Sequence, residues 1–148
     1  MRVLIDGDGC PVVGIAAELC SKKGIPCLLL CDTAHEMRRS DVRVLTFDKG
    51  ADSVDYALAN RVTPGDVVIT QDYGVASMCL AKGARVLHQD GWEYTPWNID
   101  ALLWERHEAR KFRQSGGRTK GQSKRKPEQD QCFRTALSAI LEHIPGKD

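Results

Sequence analysis

The sequence predicts an α/β protein: a mostly parallel central sheet with helices packed on both faces, three layers in all, plus C-terminal helices. Two observations predict it. Short apolar runs alternate with helical segments of about ten residues through residue 88, the pattern of successive strand–helix–strand units. Acidic residues also gather just beyond the apolar runs, at the sheet edge where such folds carry their functional groups.

Each element has its own signature. Met1–Ile5 is a short apolar run ending at Asp6, the pattern of a buried strand. Pro11 suits a first helical turn, and Val12–Lys23 follows with Ile15, Ala16 and Leu19 at helical spacing before Gly24 stops it. Cys27–Cys31 and Val42–Phe47 read as the second and third strands. Asp52 or Ser53 can cap a helix running to Arg61, with Val54 and Leu58 inward. After the Pro64-Gly65 turn come a strand over Val67–Thr70, a helix over Tyr73–Lys82 ended by Gly83, and a strand over Ala84–Leu87. Asn98 or Asp100 can cap a helix from Ala101 to about Phe112. Ser115–Asp130 has no apolar residue and reads as a loop. Cys132–Ile144 is a final amphipathic helix, with Phe133, Leu137, Ile140 and Leu141 on one side. The organisation expected is an α/β domain over 1–113, a basic loop over 114–130, and a helix over 131–148 that packs back on the same domain.

The chain has 148 residues, enough to bury a core without covalent staples. Its net charge of +1 conceals an asymmetry: residues 1–100 carry −4 and residues 101–148 carry +5. An acidic front and a basic tail suit a cation site beside a polyanion-binding arm. No apolar run approaches the roughly 18 residues of a membrane helix, and no secretory leader is visible, so a cytoplasmic location is expected. The six cysteines form no Cys-x-x-Cys pair and sit mainly in apolar runs, as small core residues do in a reducing compartment.

The chemistry is carried by acids. Asp6 and Asp8 flank Gly7, with Gly9 following, so the backbone can turn sharply after the first strand. Clustered carboxylates repel one another and persist where a cation or proton is shared; Mg²⁺ and Mn²⁺ favour oxygen donors of this kind. Beyond the second strand stand Asp32 and His35, beyond the third Asp48, beyond the fourth Gln71 and Asp72, and beyond the fifth His88 and Asp90. Asp72 suits a helix cap and a strand-end site equally. Asp48 and Asp90 fit ordinary loop chemistry. Asp55, on a helix, reads by itself as an exposed surface acid.

Between Arg106 and Lys126 lie nine Lys or Arg and one acid, Glu108. Lys111, Arg113, Arg118, Lys120, Lys124, Arg125 and Lys126 are candidates for phosphate contacts, against the alternative of a merely solvated loop. Trp92, Tyr94, Trp97 and Trp104 suit packing more often than base stacking. Cys10, at a helix start, is in a position that lowers a thiol pKa, yet no partnering His is evident.

The segment Asp6-Gly7-Asp8-Gly9-Cys10-Pro11 resembles the Asp-Ala-Asp-Ala-Cys-Pro signature of the bacterial YaiI/YqxD family, of the PIN-like superfamily. The resemblance continues through Val54-Asp55-Tyr56-Ala57-Leu58, Gly65–Asp72 and Glu93–Ile99, and so covers most of the chain. Two features depart from it: Gly7 and Gly9 replace alanines, and Thr119-Lys120-Gly121-Gln122 stands where a Thr-Gly-Gly-Pro stretch is usual. The resemblance implies a three-layer PIN-like domain. Many such domains are Mg²⁺- or Mn²⁺-dependent nucleases with acids after the first strand, in a mid-chain helix and after the fourth strand. By position these are Asp6, Asp55 and Asp72, with Asp8 beside them; the resemblance alone raises Asp55 from the surface to the site.

The leading expectation is therefore a metal-dependent nuclease acting on RNA, with Asp6 and Asp72 catalytic and Asp6, Asp8, Asp55 and Asp72 as metal ligands. Two alternatives compete. One is a phosphatase of the haloacid-dehalogenase kind with Asp6 as nucleophile, disfavoured because Gly65-Asp66 precedes its strand instead of following it. The other is a nucleic-acid-binding domain without turnover.

Overall fold

A computed structural model describes residues 1–32, 41–48, 53–118 and 124–143. Among these residues six strands form one sheet: β1 (Val3–Asp6), β2 (Cys27–Asp32), β3 (Arg43–Phe47), β4 (Val67–Ile69), β5 (Arg85–Leu87) and β6 (Glu93–Tyr94). Five helices among the described residues accompany them: α1 (Val13–Lys23), α2 (Ser53–Arg61), α3 (Tyr73–Ala81), α4 (Ile99–Gln114) and α5 (Pro127–Glu142). The strand order is β3-β2-β1-β4-β5-β6. The first five strands run parallel and β6 is antiparallel to β5.

The three layers follow from alternation along the strands. Val3 and Ile5 of β1, Leu29 of β2 and Ile69 of β4 point to one face, where α1 and α5 cover them with Ala16, Cys20, Phe133 and Leu137. Leu4, Leu28, Leu30 and Val68 point to the other, under Leu58 of α2 and Val75, Ala76 and Cys79 of α3. Strands buried on both faces read as unbroken apolar runs, which is why β1, β2 and β4 were so visible. β3 is the half-exposed edge. No helix among the described residues is long and apolar enough to cross a membrane.

Two elements differ from expectation. β6 is only two residues long, and nothing in Gly91–Asn98 alternates for long enough to announce it. α5 begins at Pro127, inside the stretch read as loop: Pro at the first turn needs no N–H partner, and the Gln129 side chain accepts from the Lys126 N–H at 2.6 Å. The apolar face of α5 starts only at Phe133, so periodicity finds the helix late.

β1 is bonded to β2 on one side and β4 on the other, so the chain winds in opposite directions from the β1–β4 pair. The crevice beyond the carboxyl ends of these two strands is the switch point where open parallel sheets bind ligands.

Candidate metal-binding site

Asp6 closes β1, and the chain must turn at once. The Gly7 N–H donates to the Leu30 carbonyl at 2.8 Å, and a Cβ on Gly7 would stand 2.6 Å from a Leu29 methyl. Gly9 adopts φ +69°, a left-handed conformation costly to other residues. This tight turn carries Asp8 over the end of β2, where its Oδ1 accepts from the Asp32 N–H at 3.3 Å.

From β4 comes the second half. Thr70 is buried, and its hydroxyl donates to Asp6 Oδ2 at 2.9 Å while accepting the Asp72 N–H at 3.0 Å. One side chain thus ties the ends of β1 and β4 together and sets both acids. Asp72 caps α3, with Oδ1 accepting from the N–H groups of Gly74 and Val75 at 2.8 and 3.2 Å. Cap and site coincide: Asp6, Asp8, Asp55, Gln71, Asp72, Tyr73 and Arg106 line one cavity of about 520 Å³. Asp55, in the first turn of α2, joins the strand-end acids there.

The electrostatics of this cavity are strained. Burial, partly offset by the Thr70 hydroxyl, and the charges of Asp55, Asp8 and Asp72 push the Asp6 carboxyl up to about 6. Within the described residues, the cation closest to hand is Arg106 of α4, whose Nη1 stands 3.4 Å from Asp72 Oδ1. No three His, Cys, Asp or Glu side chains among the described residues converge tightly enough to cage a metal ion in their present rotamers. The donor chemistry nevertheless suits one: four hard carboxylates with a threonine hydroxyl and a glutamine amide nearby, no sulfur or imidazole among the described residues that line the cavity, and a buried acid that a divalent cation would let ionise.

The remaining predicted residues divide. Arg125 is engaged within the protein, donating to Asp90 and Asp130 at 2.7 Å each and to the Gln89 carbonyl at 2.8 Å. Lys111 and Arg113 on α4, and Arg118, Lys124 and Lys126, are at the surface. Lys120 and His35 lie outside the described residues, and Asp48 is exposed. Cys10 runs opposite to expectation: burial outweighs the helix-start N–H groups and pushes its thiol up to about 11, so it is protonated at neutral pH. The aromatics split. Trp92 and Tyr94 pack with His88, whereas Trp97 and Trp104 are 88% and 63% exposed. Sequence reasoning missed Arg106 as a cavity residue and gave Thr70 no role beyond ending a strand; a hydroxyl two residues before the cap acid Asp72 is the signal that points to it.

A mostly parallel sheet with four acids lining one cavity at its switch point defines the class of protein: an α/β domain with an acidic crevice beyond the ends of β1 and β4. Residues 4–143 match the family described as "Uncharacterized BCR, YaiI/YqxD family", and the chain belongs to it. Relatives carry the name UPF0178 protein. That of Ruminiclostridium cellulolyticum is 50% identical over 141 residues, covering 95% of this chain and 92% of the relative. That of Exiguobacterium sibiricum is 43% identical, covering 95% and 96%, and one from Clostridium acetobutylicum is 44% identical over 145 residues, covering 95% and 97%.

Proposed function

We propose that the protein is a Mg²⁺- or Mn²⁺-dependent nuclease of the PIN-like kind that cuts single-stranded RNA. The observation that carries this reading is the convergence of Asp6, Asp8, Asp55 and Asp72 on one cavity, where burial first and the other three charges second raise the Asp6 carboxyl to about 6. These four acids would hold the metal, with Asp6 and Asp72 next to the chemistry. Bound there, the ion supplies a water of lowered pKa and offsets charge on the phosphodiester. Thr70 keeps Asp6 and Asp72 in register. Arg106 is the cation placed to meet a phosphate at the cavity rim.

The helical spacing of Arg106, Arg110 and Arg113 sets them on one side of α4, one turn apart, leading away from the cavity. Lys111, Arg118, Lys124 and Lys126 add exposed positive charge in the same C-terminal stretch of the chain. Exposed Trp97 and Trp104 suit unpaired bases, which favours single strands.

The test is cleavage of a single-stranded oligoribonucleotide with Mn²⁺ by wild type, Asp6→Asn and Asp72→Asn, each checked for folding by circular dichroism. Both substitutions are expected to abolish cleavage in folded protein. Undiminished cleavage by both, or a phosphate trapped covalently on Asp6 from nitrophenyl phosphate, would overturn the proposal.

A further inference from the structure

A second cavity, of about 720 Å³, adjoins the acidic one and shares two of its wall residues, Gln71 and Tyr73. Its further walls include His88, Gln89, Trp92 and Arg125. His88, Gln89 and Trp92 come from the connection between β5 and β6 and Arg125 from the approach to α5, so with Gln71 and Tyr73 from just beyond the end of β4 three parts of the chain close round one space.

The walls are held in place before any ligand arrives. The His88 and Trp92 rings stack at 4.4 Å with only 12° between their planes. The His88 Nδ1 accepts the Asp90 N–H at 3.0 Å, which fixes the ring's orientation. Arg125 donates to Asp90, Asp130 and the Gln89 carbonyl, and so pins the residues before α5 to the segment after β5. Beneath lies Tyr94, almost wholly buried, whose ring contacts those of Tyr73, His88 and Trp92. Its hydroxyl has no hydrogen-bond partner among the described residues, although a buried donor ordinarily finds one. The volume lies within the range of small-ligand pockets. Aromatic faces combined with amide donors and acceptors are what a planar heterocycle requires, stacking on one surface and hydrogen bonding at its edge.

We infer that this second cavity is a nucleobase subsite, which takes the base of the RNA nucleotide whose phosphate lies at the acidic cavity. Tyr73 and Gln71, common to both cavities, stand where the sugar joins base to phosphate. The inference rests on the nuclease reading, since it supplies the base for a phosphodiester bound next door.

The test avoids metal and cleavage, so that either proposal can fail without the other. The full-length protein, kept in chelator, is titrated with adenosine and with uridine, with ribose as control. The readouts are the NMR signals of the Trp92 indole N–H and the Gln71 and Gln89 side-chain amides. Saturable shifts are expected at these groups with a nucleoside and not with ribose, at an affinity about tenfold or more above that for the sugar, as base stacking implies. Trp92→Leu removes the stacking surface and Gln89→Trp fills the space; both are expected to erase the nucleoside response. Should Trp92→Leu fail to fold, Gln89→Trp decides alone. Nucleoside shifts no larger than those of ribose, shifts that survive in the folded variants, or shifts confined to Trp97 and Trp104 would overturn the subsite. Nucleoside binding in a protein that cuts no RNA would sink the nuclease and leave the subsite standing.

Discussion

Two acids sit at opposite ends of the same pair of strands and live opposite lives. Asp66 precedes β4 and is 2% exposed. It accepts from the Arg2 N–H and guanidinium and from the Thr63 N–H and hydroxyl, all at 3.0 Å. Burial works to raise its pKa, but the Thr63 and Arg2 donors outweigh it and hold the carboxyl below the usual range. Asp6, at the far end of β1, has one hydroxyl donor, and burial together with three nearby carboxylates raises its carboxyl to about 6. The amino edge of the sheet is electrostatically complete. At the carboxyl edge four acids share one cavity, with Arg106 the basic residue that lines it among the described residues, an arrangement that would suit a cation. The fold spends stability at one edge that it recovers at the other.

Breaking the satisfied acid has the largest expected effect. Asp66→Ala strands four donors, one of them a guanidinium, and is expected to cost about 3 kcal/mol in urea denaturation at pH 7. Because the folded pKa is depressed, the contribution of Asp66 is present above its unfolded value of about 4 and fades as pH falls through the folded one.

Relieving the frustrated acid has the opposite sign. Between about pH 4 and 6 the metal-free folded state keeps a proton on Asp6 that the unfolded chain has lost. Stability therefore falls as pH rises through that window, and the full cost applies above it. Asp6→Asn is expected to stabilise the metal-free protein by about 2 kcal/mol at pH 7.5, with the gain vanishing near pH 4. Equal stability of the two proteins at pH 7.5 would end the contrast. The smallest effect belongs to Arg106→Gln. The pair with Asp72 is half-exposed, so the stability change should stay within about 0.5 kcal/mol. Mn²⁺ affinity at low salt should instead rise a few-fold, by about the attraction of one screened charge removed from competition.

Much of this was legible in the chain. Unbroken apolar runs announced β1, β2 and β4 because parallel strands are covered on both faces, and the acids after β1 and β4 marked the crevice. Asp55 was not legible from its own surroundings: it reaches the cavity from α2, and a helical acid reads the same whether it faces solvent or a site. Only the family resemblance singled it out. Arg106 was hidden for a related reason, being one cation among nine. Cys10 misled because the helix start and the burial act in opposite directions on a thiol, and only the packing shows which prevails. Neither β6 nor the first turn of α5 carries enough apolar repeat to be found without its partner.

The central claim is that the carboxyl edge is an unfinished cation site. Calorimetric titration of Mn²⁺ into wild type and Asp6→Asn at pH 6 tests it most directly, run in two buffers of different ionisation heat to count protons. Saturable binding by wild type with release of about half a proton, as expected for a group half-titrated at that pH, and no saturable binding by Asp6→Asn, is the predicted result. Absence of saturable binding in wild type, or indistinguishable binding by the variant, would contradict it.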